Sequence, residues 1–130
     1  MNATKPKKKI LLVDDDPTIL KLLTCVLEGF GYEVHTAHNS LPALFAVART
    51  DPDLVLADLD MPIMDGIGLV RQLKGHRETA EIPVVVISGH DTPENRSAAL
   101  EAGCVAYLPK PIDARALPSQ LAGYIKAHPH

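Results

Sequence analysis

The sequence is short of three things, and each shortage removes a class of function. It has no large excess of one charge: thirteen basic and sixteen acidic residues leave −3 over 130 residues. No global field therefore draws the chain to nucleic acid or to an anionic membrane. It has no long hydrophobic run. The longest stretch without a polar side chain, residues 41–48, covers eight positions, against the roughly 20 that cross a bilayer. It has two cysteines, Cys25 and Cys104, too few for a disulfide framework. Both lie among apolar neighbours, which predicts buried, reduced thiols and a cytoplasmic location. Lys5, Lys7, Lys8 and Lys9 make the N-terminus basic, but only residues 10–13 follow before three aspartates, so no signal peptide is expected. No aromatic residue interleaves these lysines, and Lys7, Lys8 and Lys9 are expected to be solvated rather than bound to nucleic acid.

What is present suits one ordinary globular domain, with 46% apolar and 22% charged residues. Residues 9–127 are predicted to form it, with tails at 1–8 and 128–130. Short β-rich runs at 10–13, 33–37, 54–57, 84–87 and 105–108 alternate with helix-length segments. Three of the runs are nearly continuous aliphatics, as in parallel strands covered on both faces, whereas 33–37 mixes polar residues and suits an edge. Helices are expected over 17–28 with Asp16 as cap, 41–49 capped by Ser40, 66–74, and 93–102 capped by Thr92 and ended by Gly103. The last helix is ambiguous. Pro118 would delete a backbone hydrogen bond from a helix begun at 113, so that helix is either kinked or starts near Pro118, and Gly123 weakens it further. The pattern is an α/β fold, a (βα)5 doubly wound domain with a five-stranded parallel sheet. Ligands of such sheets bind beyond the carboxyl ends of the strands.

Chemistry gathers at those ends. The first strand runs into Asp14, Asp15 and Asp16, the third into Asp58, the fourth into Ser88, and the fifth into Lys110 after Pro109. Two carboxylates ~5 Å apart repel by roughly 3 kcal/mol at an effective dielectric near 20. Three in one crevice must share a proton, sit at raised pKa, or bind a cation. Oxygen ligands without Cys or His favour a hard ion, Mg2+ first and Mn2+ as a substitute. A carboxylate beside such an ion and Lys110 can attack phosphorus and form an aspartyl phosphate, with the Ser88 hydroxyl donating to a phosphoryl oxygen. No Gly-rich phosphate loop is present, so the phosphoryl donor is expected to be another molecule. The six histidines show no ligand spacing and are read as surface residues.

Four blocks carry a family resemblance: Val13-Asp14-Asp15; Asp58-Leu59-Asp60-Met61-Pro62-Ile63-Met64-Asp65-Gly66; residues 84–89; and Tyr107-Leu108-Pro109-Lys110-Pro111. In order and spacing they resemble the receiver domain of two-component response regulators, over residues 9–127. The resemblance implies a flavodoxin-like fold with strand order 2-1-3-4-5. It implies that Asp58 is the phosphoacceptor, charged by a sensor histidine kinase or histidine phosphotransfer protein. Asp15, Asp58 and the backbone carbonyl of Asp60 would hold the metal, with Asp14 acting through water. Ser88 and Lys110 would hold phosphoryl oxygens, Tyr107 would be the aromatic switch, and the Lys110–Pro111 peptide would be cis. Output would pass through the face built from helix 4, strand 5 and helix 5, to a downstream protein or attached domain, as a monomer or a phosphorylation-dependent dimer. Pro118 and Gly123 fall on that face and count against dimerisation through it. Gly89 replaces the family's usual Ala and predicts a more mobile loop, while Asp60 and His90 occupy positions expected to set phosphoryl lifetime.

Two other classes compete. A phosphatase resembling the haloacid dehalogenase group also places Asp two residues after an Asp nucleophile, as in Asp58-Leu59-Asp60. Its paired acids come last rather than first, it needs a cap for which no chain remains, and it prefers small residues at Met61 and Pro62. A DNA-binding regulator would need a second domain that 130 residues do not supply.

Overall fold

The computed structural model describes residues 6–60 and 66–127. Five strands, β1 (Lys9–Val13), β2 (Glu33–Ala37), β3 (Leu54–Asp58), β4 (Val84–Ser88) and β5 (Ala106–Pro109), alternate with α1 (Pro17–Gly29), α2 (Ser40–Thr50), α3 (Gly66–Lys74), α4 (Pro93–Ala102) and α5 (Leu117–Ala127). The strands form one parallel sheet in the order β2-β1-β3-β4-β5. This is the flavodoxin-like architecture that the alternation and the resemblance predict, with the polar strand β2 at an edge.

Strand alternation sorts the aliphatic residues into two cores. Leu11, Val13, Val55, Ala57, Val84 and Val86 face α2, α3 and α4, meeting Val47, Leu69, Leu73 and Ala99. Ile10, Leu12, Leu54, Leu56, Val85 and Ile87 face the other way, meeting Leu23 and Leu27 of α1 and Leu117, Leu121 and Ile125 of α5. Each fully buried aliphatic side chain contributes roughly 1.5–3 kcal/mol, enough in sum to oppose the chain entropy.

The helix ends follow their caps, with one correction. Asp16 accepts from the Thr18 N–H at 2.9 Å, and Thr92 accepts from the Asn95 N–H at 3.1 Å. Gly103 closes α4 at φ 117°, a left-handed conformation for which glycine is suited. The cap of α2 is Asn39 rather than Ser40: its side chain accepts from the Leu41 N–H at 3.0 Å, and the helix begins one residue earlier than expected. The final helix takes the second of its two forms. Residues 113–116 make a turn in which the Asp113 carbonyl accepts from Ala116 and Leu117. Pro118 then falls in the first turn of α5, where its missing N–H has no intrahelical partner to lose.

Two further expectations change. Cys104 is buried, but Cys25 is exposed, because α1 buries the stripe containing Leu23 and Leu27 and Cys25 points away from it. Lys9 belongs to the sheet, not to a solvated tail. Its N–H donates to Asp53 Oδ2 at 2.8 Å and its ammonium to the Thr50 carbonyl at 3.2 Å. Among the described residues no helix is long and apolar enough to cross a membrane.

Candidate functional site

Parallel register brings the strand ends to one rim. Val13 pairs with Ala57, Ala57 with Val86, and Val86 with Tyr107. Asp14, Asp58, Ser88 and Lys110 therefore emerge side by side from four strands. Three backbone bonds extend the ladders past the last paired residues: Asp14 N–H to Ala37, Leu59 N–H to Ile87 and Lys110 N–H to Ser88. The parity of β3 turns Asp58 to the side of Leu54 and Leu56, toward α1 and α5. That of β4 turns Ser88 to the side of Val84 and Val86, toward α4.

Carboxylate oxygens of Asp14, Asp15 and Asp58 lie within 4.8 Å of one another. Asp14 and Asp58 are buried, while Asp15 is exposed. Asp14 Oδ1 accepts from the Asp16 N–H at 2.9 Å, but its buried Oδ2 has no hydrogen-bond partner among the described residues. An orphaned buried carboxylate oxygen is costly. Burial, together with the charge of Asp58, pushes the Asp14 carboxyl up to about 6, against the lowering effect of the Asp16 N–H. Asp58 Oδ1 accepts from the Asp60 N–H at 3.0 Å, and Oδ2 accepts from the Lys110 ammonium at 3.3 Å. Burial works against the charge of Lys110, yet the adjacent Asp58 carboxylate wins and raises its pKa. The Lys110–Pro111 peptide is cis.

A second cluster sits on the α4 side. The Ser88 hydroxyl donates to Asp60 Oδ1 at 3.1 Å, the Gly89 N–H donates to Asp60 Oδ2 at 3.0 Å, and His90 Nδ1 lies 3.2 Å from Asp60 Oδ1. Partial burial opposes ionisation of Asp60, but the Gly89, His90 and Ser88 bonds outweigh it and lower its pKa. The expected looseness at Gly89 meets this anchored N–H, and a Cβ at that position would make only ordinary contacts at 3.7 Å. Tyr107 is buried, and its hydroxyl donates to the His90 carbonyl at 3.0 Å.

All eight residues singled out in the sequence thus gather at one rim, although Ser88 meets Asp60 rather than Asp58. Residues 61–65 of the acidic motif lie outside the described residues. Sequence reasoning passed over Asn95 and Arg96. The Asn95 side chain donates to the His90 carbonyl at 2.7 Å, and the Arg96 guanidinium stands 4.8 Å from the Tyr107 ring centroid while pairing with Asp91 at 2.9 Å. Their positions just after the Thr92 cap gave a weak signal. The other histidines do serve surface roles where described, as in the 2.7 Å pair of His35 with Glu33.

Comparison with known proteins agrees with this fold. The response regulator receiver domain model matches residues 10–122. Response regulator MprA of Mycobacterium tuberculosis is 39% identical over 103 residues, covering 79% of this chain and 44% of that protein. Response regulator PleD of Caulobacter vibrioides is 43% identical over 105 residues, covering 81% and 23% respectively. The chain therefore spans less than half the length of these curated relatives. A CheY-like receiver domain protein from Methanospirillum hungatei superposes with a TM-score of 0.88 at 30% identity, over 95% of this chain and 97% of the other. Chemotaxis protein CheY4 of Vibrio cholerae superposes with a TM-score of 0.86 at 26% identity, over 91% and 98%. These likenesses lend no support to the phosphatase alternative. With the fold, the rim and the matched 10–122 segment in agreement, the chain belongs to the response regulator receiver domain family.

Proposed function

We propose that Asp58 accepts a phosphoryl group from a histidine on a sensor kinase or phosphotransfer protein, and that the adduct changes the face formed by α4, β5 and α5. The observation that carries this reading is a buried carboxylate held 3.3 Å from the Lys110 ammonium, with two further acidic groups beside it. An Asp58 oxygen attacks phosphorus as the P–N bond to the donor imidazole breaks, and the departing ring takes up a proton. Lys110 offsets charge on the transferring group, and the Ser88 hydroxyl is the donor for a phosphoryl oxygen.

The acidic trio suits a hard divalent ion. Its donors are all oxygen, and Asp14 Oδ2, a buried acceptor without a partner among the described residues, suits a positive one. Asp15, Asp58 and the Asp60 carbonyl would hold Mg2+, or Mn2+ in its place, with Asp14 acting through a water. Once bound, the ion supplies charge neutralisation to the phosphoryl oxygens.

The donor must reach Asp58 from solvent, and the apolar crevice beside Lys110, bordered by Ile19, Leu22, Pro111 and Ile112, supports docking there. The chain then turns over no external substrate beyond its own phosphoryl transfer and loss. A cytoplasmic location follows, where an ATP-charged kinase would meet it. Output passes to a separate protein or to an attached domain of the kind its longer relatives have room for.

The test is mass analysis after incubation with acetyl phosphate and Mg2+. Wild type gains one phosphoryl group and Asp58→Asn gains none. An adduct that survives the substitution refutes the acceptor, and repeated turnover of a generic phosphate ester would indicate a phosphatase instead.

A further inference from the structure

The carboxylate of Asp60 is drawn across the turn that follows β4. It takes the Ser88 hydroxyl at 3.1 Å and the Gly89 N–H at 3.0 Å, one on each oxygen, with His90 Nδ1 at 3.2 Å. The Ser88 oxygen in turn accepts from the His90 N–H at 2.9 Å, so the turn is closed on both sides of the hydroxyl. Beyond it, the His90 carbonyl receives the Tyr107 hydroxyl at 3.0 Å and the Asn95 amide at 2.7 Å, and Arg96 covers the Tyr107 ring. A single side-chain anion thus organises a chain of contacts from the rim to a buried tyrosine.

On the reading of Asp58 as phosphoacceptor, the Ser88 hydroxyl is also the donor for a phosphoryl oxygen, and the neighbouring Gly89 N–H, on the same turn, would be free to join it once Asp60 lets go. A serine hydroxyl has one proton, so it cannot donate to two anions at once. We propose that Asp60 is a built-in competitor for the phosphoryl site: its carboxylate occupies the Ser88 and Gly89 donors, holds the turn and Tyr107 inward before phosphorylation, and must be displaced when a phosphoryl group arrives. The inference rests on the reading of Asp58 as phosphoacceptor. Two consequences follow. The unphosphorylated chain already has its switch region closed, and the phosphoryl group binds against an internal rival.

Beryllium fluoride with Mg2+ tests this, because it mimics a phosphoryl group on a carboxylate without group transfer. Its affinity is measured by fluorine NMR for wild type, Asp60→Ala, Ser88→Ala and the double variant, with Asp58→Asn as the baseline. Asp60→Ser, which also lacks the carboxylate, is the second variant should the alanine protein fold poorly. Removing the rival tightens binding by about tenfold, the worth of one charge-assisted hydrogen bond. In the Ser88→Ala background the gain shrinks to less than about threefold, because the contested donor is gone. Hydrogen exchange of the Gly89 amide is faster in Asp60→Ala than in wild type, and slows when the mimic binds.

An equal gain in both backgrounds would mean simple charge repulsion and overturn the proposal. So would no gain while binding still depends on Asp58, which leaves the receiver reading intact. If no variant binds the mimic through Asp58, the phosphoacceptor reading fails and the competitor falls with it.

Discussion

Gly66 stands where the first turn of α3 meets the end of β3. A Cβ there would lie 2.7 Å from the Asp58 carbonyl oxygen and 2.7 Å from the Leu59 Cα, both backbone atoms. Helix propensity alone favours Gly66→Ala by about 1 kcal/mol. The overlap reverses the sign, and we expect a net destabilisation of about 1–3 kcal/mol by denaturant unfolding. Phosphoryl incorporation at Asp58 should slow in the same variant, since the displaced backbone carries the proposed acceptor. A more stable Gly66→Ala protein would show that the helix does not press on the strand. Gly66 was legible only as the last residue of a recognisable motif, and its steric reason lies in a tertiary contact between α3 and the end of β3. Asp58, Asp15 and Lys110 were legible because each follows a run of apolar β-formers. The preference of Ser88 for Asp60 was not, since it depends on the path of a turn.

Among the elements, α5 shows how local rules can leave two answers open. Pro118 fits an unkinked helix only in its first turn, so the start of α5 was constrained but undecided between a kink and a late beginning. Burial of Leu117, Leu121 and Ile125 against the sheet selects the late start, and the Tyr32 hydroxyl ties the Pro118 carbonyl to the turn after α1 at 3.2 Å. Gly123, by contrast, lies on the exposed side with nothing within 4 Å of an added Cβ. Gly123→Ala should therefore stabilise the protein by about 0.5–1 kcal/mol, read as a higher denaturation midpoint with an unchanged slope. A lower midpoint would mean that this face of α5 is covered by something in solution. The α2 segment carries a similar lesson. Its apolar run buries Ala43, Ala46 and Val47 but leaves Leu41 and Phe45 exposed, because a helix lying on a sheet hides only one stripe.

Across the whole molecule, the acidic rim is expected to couple stability to pH and, on the proposed reading, to Mg2+. The Asp14 carboxyl sits at about 6 in the folded chain against an ordinary 3.8. Between those values the folded state keeps a proton that the unfolded state has released, so stability falls as pH rises through this window and stays lower above it. Asp14→Asn removes that dependence. Without metal, the variant should gain thermal stability over wild type near neutrality, and the gain should vanish near pH 3.8. Mg2+ should narrow the gap near neutrality by stabilising wild type, by about 2.7 kcal/mol at a hundredfold excess over Kd. Thermal unfolding with and without chelator checks both expectations. A gain independent of pH would show that Asp14 is not strained by its charge.

By itself, the sequence determined the alternation of strands and helices, their parallel arrangement, and which charged residues end the strands. Those follow from periodicity, capping and the need to bury aliphatic surface, all of which act over a few neighbouring positions. Only the tertiary structure decided which donors each carboxylate meets, why one Asp14 oxygen finds no partner among the described residues, and which apolar side chains stay outside. Such outcomes depend on turns and on contacts between residues far apart in the chain, such as the 3.1 Å bond of Ser88 to Asp60, where a rotation about one bond exchanges one partner for another.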